Sequence, residues 1–534
     1  MKKTSRNENT AREKRRDISR VCEIRNGELI RYYGDETSFT VPAEVSIIAA
    51  EAFAKSKRLT EIVFGPRVTA IHSGAFRGCA ELKQISFPSG LRVIGEDAFA
   101  NCVSLSGISL PKSVYLIGNG AFRGCRALKK INLPAELQSL GENAFSECVA
   151  LEELILPGGL TAIRPGTFFD CKSLCRIHIP ASIRTVGNYA FANCESLTEI
   201  QMPEEVVYLG IGAFSRCIGL RKFKFPAGVR FVANYAFSCC RALEEAAFSD
   251  QIVFIGNDAF CDCRSLFEIR LPQSLKEIGI RAFFGCKKLQ SVTLPDGVEQ
   301  IGNEAFGYCD LLARVKLNAG LTLLPDGVFR FCTALEEIVL PEETVEIGEV
   351  AFSGCGALSS VYLPRGLRKI GDGAFEGCAL RSISLPFRLT RIGNRAFADC
   401  HLLETVILPE KNAKIGAGVF AGCEKMEVLV IPEGTLLRGR KIRRWRVPES
   451  TQIIYHGELE LSLLFAEWSM PETDADRKTE LRNEIREMIR ILKKRNHLYS
   501  AKTIQQNFKR VAQAISEQQP PIEQKPEGEA KKSE

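Results

Sequence analysis

The feature that most constrains this 534-residue chain is a register of phenylalanines. Ala-Phe, or a close variant, recurs with Phe at 53, 76, 99, 122, 145, 168, 191, 214, 237, 260, 283, 306, 329, 352, 375, 397 and 420. That is seventeen copies, with fifteen intervals of 23 residues and one of 22. A Cys follows three residues after the Phe in sixteen of them, from Cys79 to Cys423, while the first copy has Ser56. Self-similarity at such a period marks units that cannot bury their apolar residues alone and must stack. It excludes the three or four globular domains that length alone would suggest.

One unit runs from Leu271 to Leu294 as LPQSLKEIGIRAFFGCKKLQSVTL. Its Val292 and Leu294 alternate with polar residues, which predicts a short strand. Pro295 then ends the strand, having no amide to donate. Ile278-Gly279 is expected to turn, and Gly occupies that place in twelve copies. The expected reason is a backbone angle that a side chain resists. One helical or 3₁₀ turn is expected between that Gly and the Cys. The copy after Phe375 is one residue short at Cys378-Ala-Leu380, which predicts a bend or tightened loop.

These residues resemble the BspA-like branch of the leucine-rich repeat family, with the pattern LPxxLxxIGxxAFxxCxxLxxIxL over residues 42–431. The stretch Ile24–Gly34 is similar to the strand–turn–strand lead-in of such repeats, and its Asn26-Gly27 is a hairpin signal in its own right. The resemblance implies a repeat solenoid: a curved leucine-rich repeat with one parallel β-strand per coil, to which the spacing of apolar residues further on adds a small C-terminal helical segment. It also implies a binding protein, often surface-associated, with no shared catalytic residues.

The expected organisation is a basic disordered tail (1–17), a strand–turn–strand cap (18–41), seventeen repeats (42–432) and a basic cap (433–470). Two amphipathic helices (471–516) and a polar tail (517–534) follow. The helices are read from Leu481, Ile485, Met488, Ile489 and Leu492, then Ile504, Phe508, Val511 and Ile515, with a break at Asn496–Ser500. They offer a route to oligomerisation. The formal charge of +7 lies at the ends: the first 20 residues carry +5, while 21–432 carry −2.

Twenty cysteines in a chain with no secretory signal and no run of 18 apolar residues point to reduced thiols and an intracellular, cytoplasmic setting. A surface or secreted location is the alternative. The sixteen repeat cysteines are expected to form a column of buried thiols. Cys239-Cys240 and Cys261-Asp-Cys263 occupy nearly equivalent places in adjacent coils, but without the spacing of a zinc knuckle. No phosphate loop, HExxH or nucleophile–base pair appears, so no enzyme activity, cofactor or metal is expected.

Function is therefore sought on the sheet face, where two positions per coil point outward, eight and ten residues after each Phe. The first column alternates in sign through Lys130, Glu153, Arg176, Glu199, Lys222 and Glu245, as expected of a self-neutralising solvated face. The second carries His178, Lys224, Arg270 and Lys316 without an acidic member, and a partner with acidic loops is expected there. Tyr362, Ile407, Val428 and Val430 are either a partner site or a surface covered by the C-terminal segment. A basic run, Arg438, Arg440, Lys441, Arg443, Arg444 and Arg446, is expected to cap the terminal coil. Nucleic-acid or anionic-membrane binding through the basic termini is its alternative. The leading expectation is a non-enzymatic scaffold that binds a protein on the solenoid surface, and the rival is a surface adhesin.

Overall fold

The computed structural model describes residues 20–409, 413–432, 443–457, Leu464 and 475–494. The chain forms two compact units, Met1–Leu289 and Gln290–Glu534. Each is a parallel-strand β-solenoid of stacked coils.

In the first unit, Cys22–Arg25 and Glu28–Tyr32 form an antiparallel hairpin. Asn26 and Gly27 make its turn with φ of 51° and 78°. Two consecutive positive φ values match the twist of the flanking strands, which is why Asn-Gly suits this place. Glu28–Tyr32 then pairs in parallel with Ile47–Ile48, and the coils continue from it.

Each regular coil carries a three-residue strand eight to ten residues after its Phe, such as Lys130–Asn132, Glu153–Ile155 and Arg176–His178. Its central residue points inward and the two beside it point outward, because side chains alternate along a strand. The coil also carries a second, two-residue strand that the repeat pattern does not announce, such as Leu116–Ile117 paired with Ser139–Leu140. A two-residue strand is too short to be recognised by alternation.

The segment between Gly and Cys is not a helical turn. Residues two before and two after the Phe both lie at positive φ, as Asp97 (50°) and Asn101 (61°) do around Phe99. Their amides and that of Phe99 point at the next coil, where Asn119, Ala121 and Arg123 supply the carbonyls at 2.7–2.8 Å. The alternating left- and right-handed backbone thus makes a third ladder between coils. It favours Gly, Asn and Asp at these places. Val350, a β-branched residue at φ 48°, is the outlier.

The Gly four residues before the Phe has a different reason from the expected one. Gly279 has no positive φ; a Cβ there would lie 2.6 Å from the backbone nitrogen of Asn257 in the preceding coil. Gly118 is likewise pressed against Glu96, at 2.6 Å. Close approach, rather than backbone angle, selects glycine here.

The core of each unit is a set of columns. In the first, Phe rings stack from Phe53–Phe76 (centroids 4.7 Å) to Phe260–Phe283 (5.3 Å). In the second they stack from Phe306–Phe329 (5.8 Å) to Phe397–Phe420 (6.2 Å). The thiols beside them hold the register. Cys125 Sγ donates to Phe99 O of the preceding coil at 3.2 Å, and Cys217 to Phe191 O at 3.1 Å. In the second unit Cys355 does the same to Phe329 O at 3.1 Å. Burial pushes the thiols of Cys125, Cys217 and Cys355 up to about 12.

The short copy after Phe375 loses the two-residue turn that follows its Cys, and Ser382–Ser384 still pairs in register with Thr405–Ile407. The loop absorbs the deletion, as expected. The last repeat strand, Val428–Ile431, pairs in parallel with Gln452–Tyr455. A helix at Ala475–Lys494 buries Leu481 and Ile485 and packs Met488 and Leu464 around the latter. The terminal tails and the second expected helix lie outside the described residues.

Candidate functional site

The outward columns are built by the three-residue strands. In the first unit, Glu153 accepts from Lys130 Nζ at 3.1 Å and from Arg176 at 3.0 Å. These hydrogen bonds, Arg176's first, hold the Glu153 carboxyl below its usual range. Lys222 pairs with Glu245 at 3.2 Å. The charge ladder is therefore real in two stretches, Lys130–Arg176 and Lys222–Glu245. Glu199, between them, has no cation within ion-pair distance among the described residues.

The same coil breaks the strand ladder. Glu199, Ile200 and Gln201 belong to no strand, and none of their amides donates to a backbone carbonyl. Over this break lies a trough of about 830 Å³. Its lining includes Lys130, Ile155, His178, Glu199, Gln201 and Glu205. Ile155, paired with His178 across adjacent strands, is 71% exposed. Cys175 also lines the trough, with its Sγ 3.3 Å from Glu152 O.

Of the second-column residues, His178, Lys224 and Arg270 lie exposed in the first unit, and Lys316 lies exposed in the second. Tyr362, also in the second, is half-buried. Lys224 and Arg270 are not unspent charges. Lys224 Nζ reaches Glu204 at 2.8 Å, and Arg270 Nε reaches Glu268 at 2.9 Å. The hydrogen bond from Lys224, followed by that from the Ala227 amide, lowers the Glu204 carboxyl. Only His178 of this set lines the trough. Further along, Ile407, Val428 and Val430 are buried in one cluster with Ile454, so those three are core rather than open surface.

Of the basic run, Arg438, Arg440 and Lys441 lie outside the described residues. Arg443, Arg444 and Arg446 have exposed side chains, and the backbone between them meets the last repeat. Gly418 donates to Arg444 O at 2.7 Å and Phe420 to Trp445 O at 3.0 Å, with the Trp445 side chain buried. This segment supplies carbonyls that a further coil would otherwise have supplied.

Among the described residues, no group of three or more His, Cys, Asp or Glu side chains is placed to hold a metal. Cys239 N donates to Cys261 O at 2.7 Å, and an Arg281 Nη lies 3.9 Å from Cys261 Sγ. Burial pushes the Cys261 thiol up to about 12, which leaves it protonated and a poor nucleophile or ligand at neutral pH. No helix among the described residues is long and apolar enough to cross a membrane.

The repeat geometry can now be set beside known proteins. The family model "BspA type Leucine rich repeat region (6 copies)" matches residues 31–151, 138–267, 230–356 and 322–439, most of the chain. The chain belongs to the BspA-type leucine-rich repeat family. Among solved structures, this BspA-type chain is similar to a leucine-rich repeat protein from Bacteroides ovatus. Identity is 24%, with 81% of this chain and 96% of that one covered and a TM-score of 0.44. It is also similar to the leucine-rich repeat protein of T. pallidum, at 29% identity, 36% and 82% coverage and a TM-score of 0.31. A leucine-rich cell surface protein from Faecalibacterium prausnitzii aligns at 24% identity, 71% and 89% coverage and a TM-score of 0.37. No curated protein matches the sequence.

Proposed function

We propose that this leucine-rich repeat scaffold is a non-enzymatic binding protein and that its partner docks on the outward sheet face of the first unit. The observation that carries this reading is the trough at the ladder break, where the exposed Ile155 stands beside His178. Exposed apolar side chains set in a concavity and rimmed by polar groups are the usual anchor of a protein contact. Repeat solenoids present such faces because their side chains recur in columns.

Lys224 and Arg270 lie on the outward column of the same unit but outside the trough, each already paired with a carboxylate. Arg443, Arg444 and Arg446 keep exposed side chains, so contact of this basic patch with a nucleic acid or an anionic membrane is the alternative reading. The thiol columns favour a reducing compartment, which alkylation of intact against lysed cells tests. The binding reading is tested by affinity capture from the native source with the full chain and with Ile155→Asp/His178→Glu. Partner sets that differ between the two support it. Identical sets, with both proteins folded by circular dichroism, refute it.

A further inference from the structure

Most cations of the outward columns are already spent. Arg176 and Lys130 serve Glu153, Lys222 serves Glu245, Lys224 serves Glu204 and Arg270 serves Glu268. What is left over at the trough is negative. Glu199 alternates in sequence with Arg176 and Lys222, but both neighbours pair away from it. Glu153–Ile155 pairs with Arg176–His178, and Lys222–Lys224 with Glu245–Ala247. Glu199 belongs to neither pair. Glu205 lines the same trough and likewise has no ion pair among the described residues. The same trough is lined by Ile155, at 71% the most exposed large apolar side chain among the described residues.

We infer that the trough takes a basic segment of a partner protein, one that sets an apolar side chain on Ile155 and an Arg or Lys against Glu199 and Glu205. This rests on the proposed sheet-face reading and sharpens it, reversing the charge expected from the basic second column. An Arg suits the site best, because its planar fork matches a carboxylate in two parallel hydrogen bonds. The His178 imidazole lies on the strand next to Ile155 and has no hydrogen-bond partner among the described residues, so it can accept from or donate to the segment's backbone. A stable interface of about 1,600 Å² would extend from the trough along the columns.

The test uses the full chain and a displayed random-peptide library. The selected peptides are expected to carry Arg or Lys next to an apolar residue. Binding of the synthesised peptide, followed by fluorescence polarisation, is expected to weaken about tenfold or more in Glu199→Gln/Glu205→Gln and in Ile155→Asp, tenfold being about 1.4 kcal/mol. Lys224→Glu/Arg270→Glu should leave it unchanged. These side chains are exposed, and thermal melting confirms that each variant folds. An acidic consensus, an absence of enrichment, or binding indifferent to Glu199, Glu205 and Ile155 overturns the inference. Loss confined to Lys224→Glu/Arg270→Glu would sink the basic-segment inference and leave the sheet-face reading standing. Binding that survives every one of these substitutions removes both.

Discussion

The thiol columns make the fold sensitive to alkali in a way that can be worked out in advance. Cys125 and Cys217 are fully buried, donate to Phe99 O and Phe191 O at 3.2 and 3.1 Å, and have pKa values raised to about 12. In the unfolded chain a thiol titrates near 8.5. A thiol that keeps its proton when folded and loses it when unfolded contributes its full stability below about pH 8.5. That stability is lost progressively as pH rises toward about 12. Each such thiol removes up to about 1.4 kcal/mol per pH unit in that window. Two together remove about 3 kcal/mol per unit, a large share of a net stability of about 5–15 kcal/mol. The perturbation is the double variant Cys125→Ala/Cys217→Ala. At neutral pH it should be less stable, by about 1 kcal/mol for each lost hydrogen bond. Above about pH 9 its stability should fall less steeply than the parent's, so the two curves converge. Guanidinium unfolding followed by circular dichroism at stepped pH reads both effects. Parallel curves from neutral to alkaline pH, or thiolate absorbance near pH 9 that the folded parent shows and the folded double variant lacks, would refute the buried-thiol reasoning.

Other consequences follow from single coils. Gly279→Ala should cost about 1–3 kcal/mol, because its Cβ would lie 2.6 Å from Asn257 N and the backbones must part. Val350→Gly should raise the melting temperature: it relieves about 1–2 kcal/mol of left-handed strain, less the entropy that Gly adds to the unfolded chain. Phe122→Ala, in the middle of a stacked ring column, should cost about 3–5 kcal/mol by chemical denaturation. Arg176→Ala should leave the melting temperature that of the parent, since its pair with Glu153 is exposed.

The Phe and Cys register was legible in the sequence because each coil repeats the same inward set. The strand eight to ten residues after the Phe was legible because Val292 and Leu294 alternate with polar neighbours. The second strand was not, because two residues such as Glu277–Ile278 carry no period. The role of Gly279 was misread for a physical reason. A glycine that permits a positive φ and one that permits close backbone approach are the same letter, and only the neighbouring coil tells them apart. The left-handed positions show the opposite case, since Asp, Asn, Tyr and Val share them with Gly and blur the signal. At the site, His178, Lys224 and Arg270 were found as exposed residues. The sequence did not show that Glu204 and Glu268 neutralise two of them, because neither lies in their column. The break at Glu199–Gln201 was hidden altogether, because Thr198-Glu-Ile-Gln-Met-Pro203 keeps the repeat pattern.

The central claim is that a partner docks in the trough of the first unit, and site-specific photo-crosslinking in the native source tests it most directly. A photoreactive residue at position 155 should yield discrete protein adducts that Glu199→Lys/Glu205→Lys abolishes. The same residue at exposed position 277, on the second strand ladder, should yield none. Equal adducts at both positions, or adducts at 155 that ignore the charge reversal, would contradict the account.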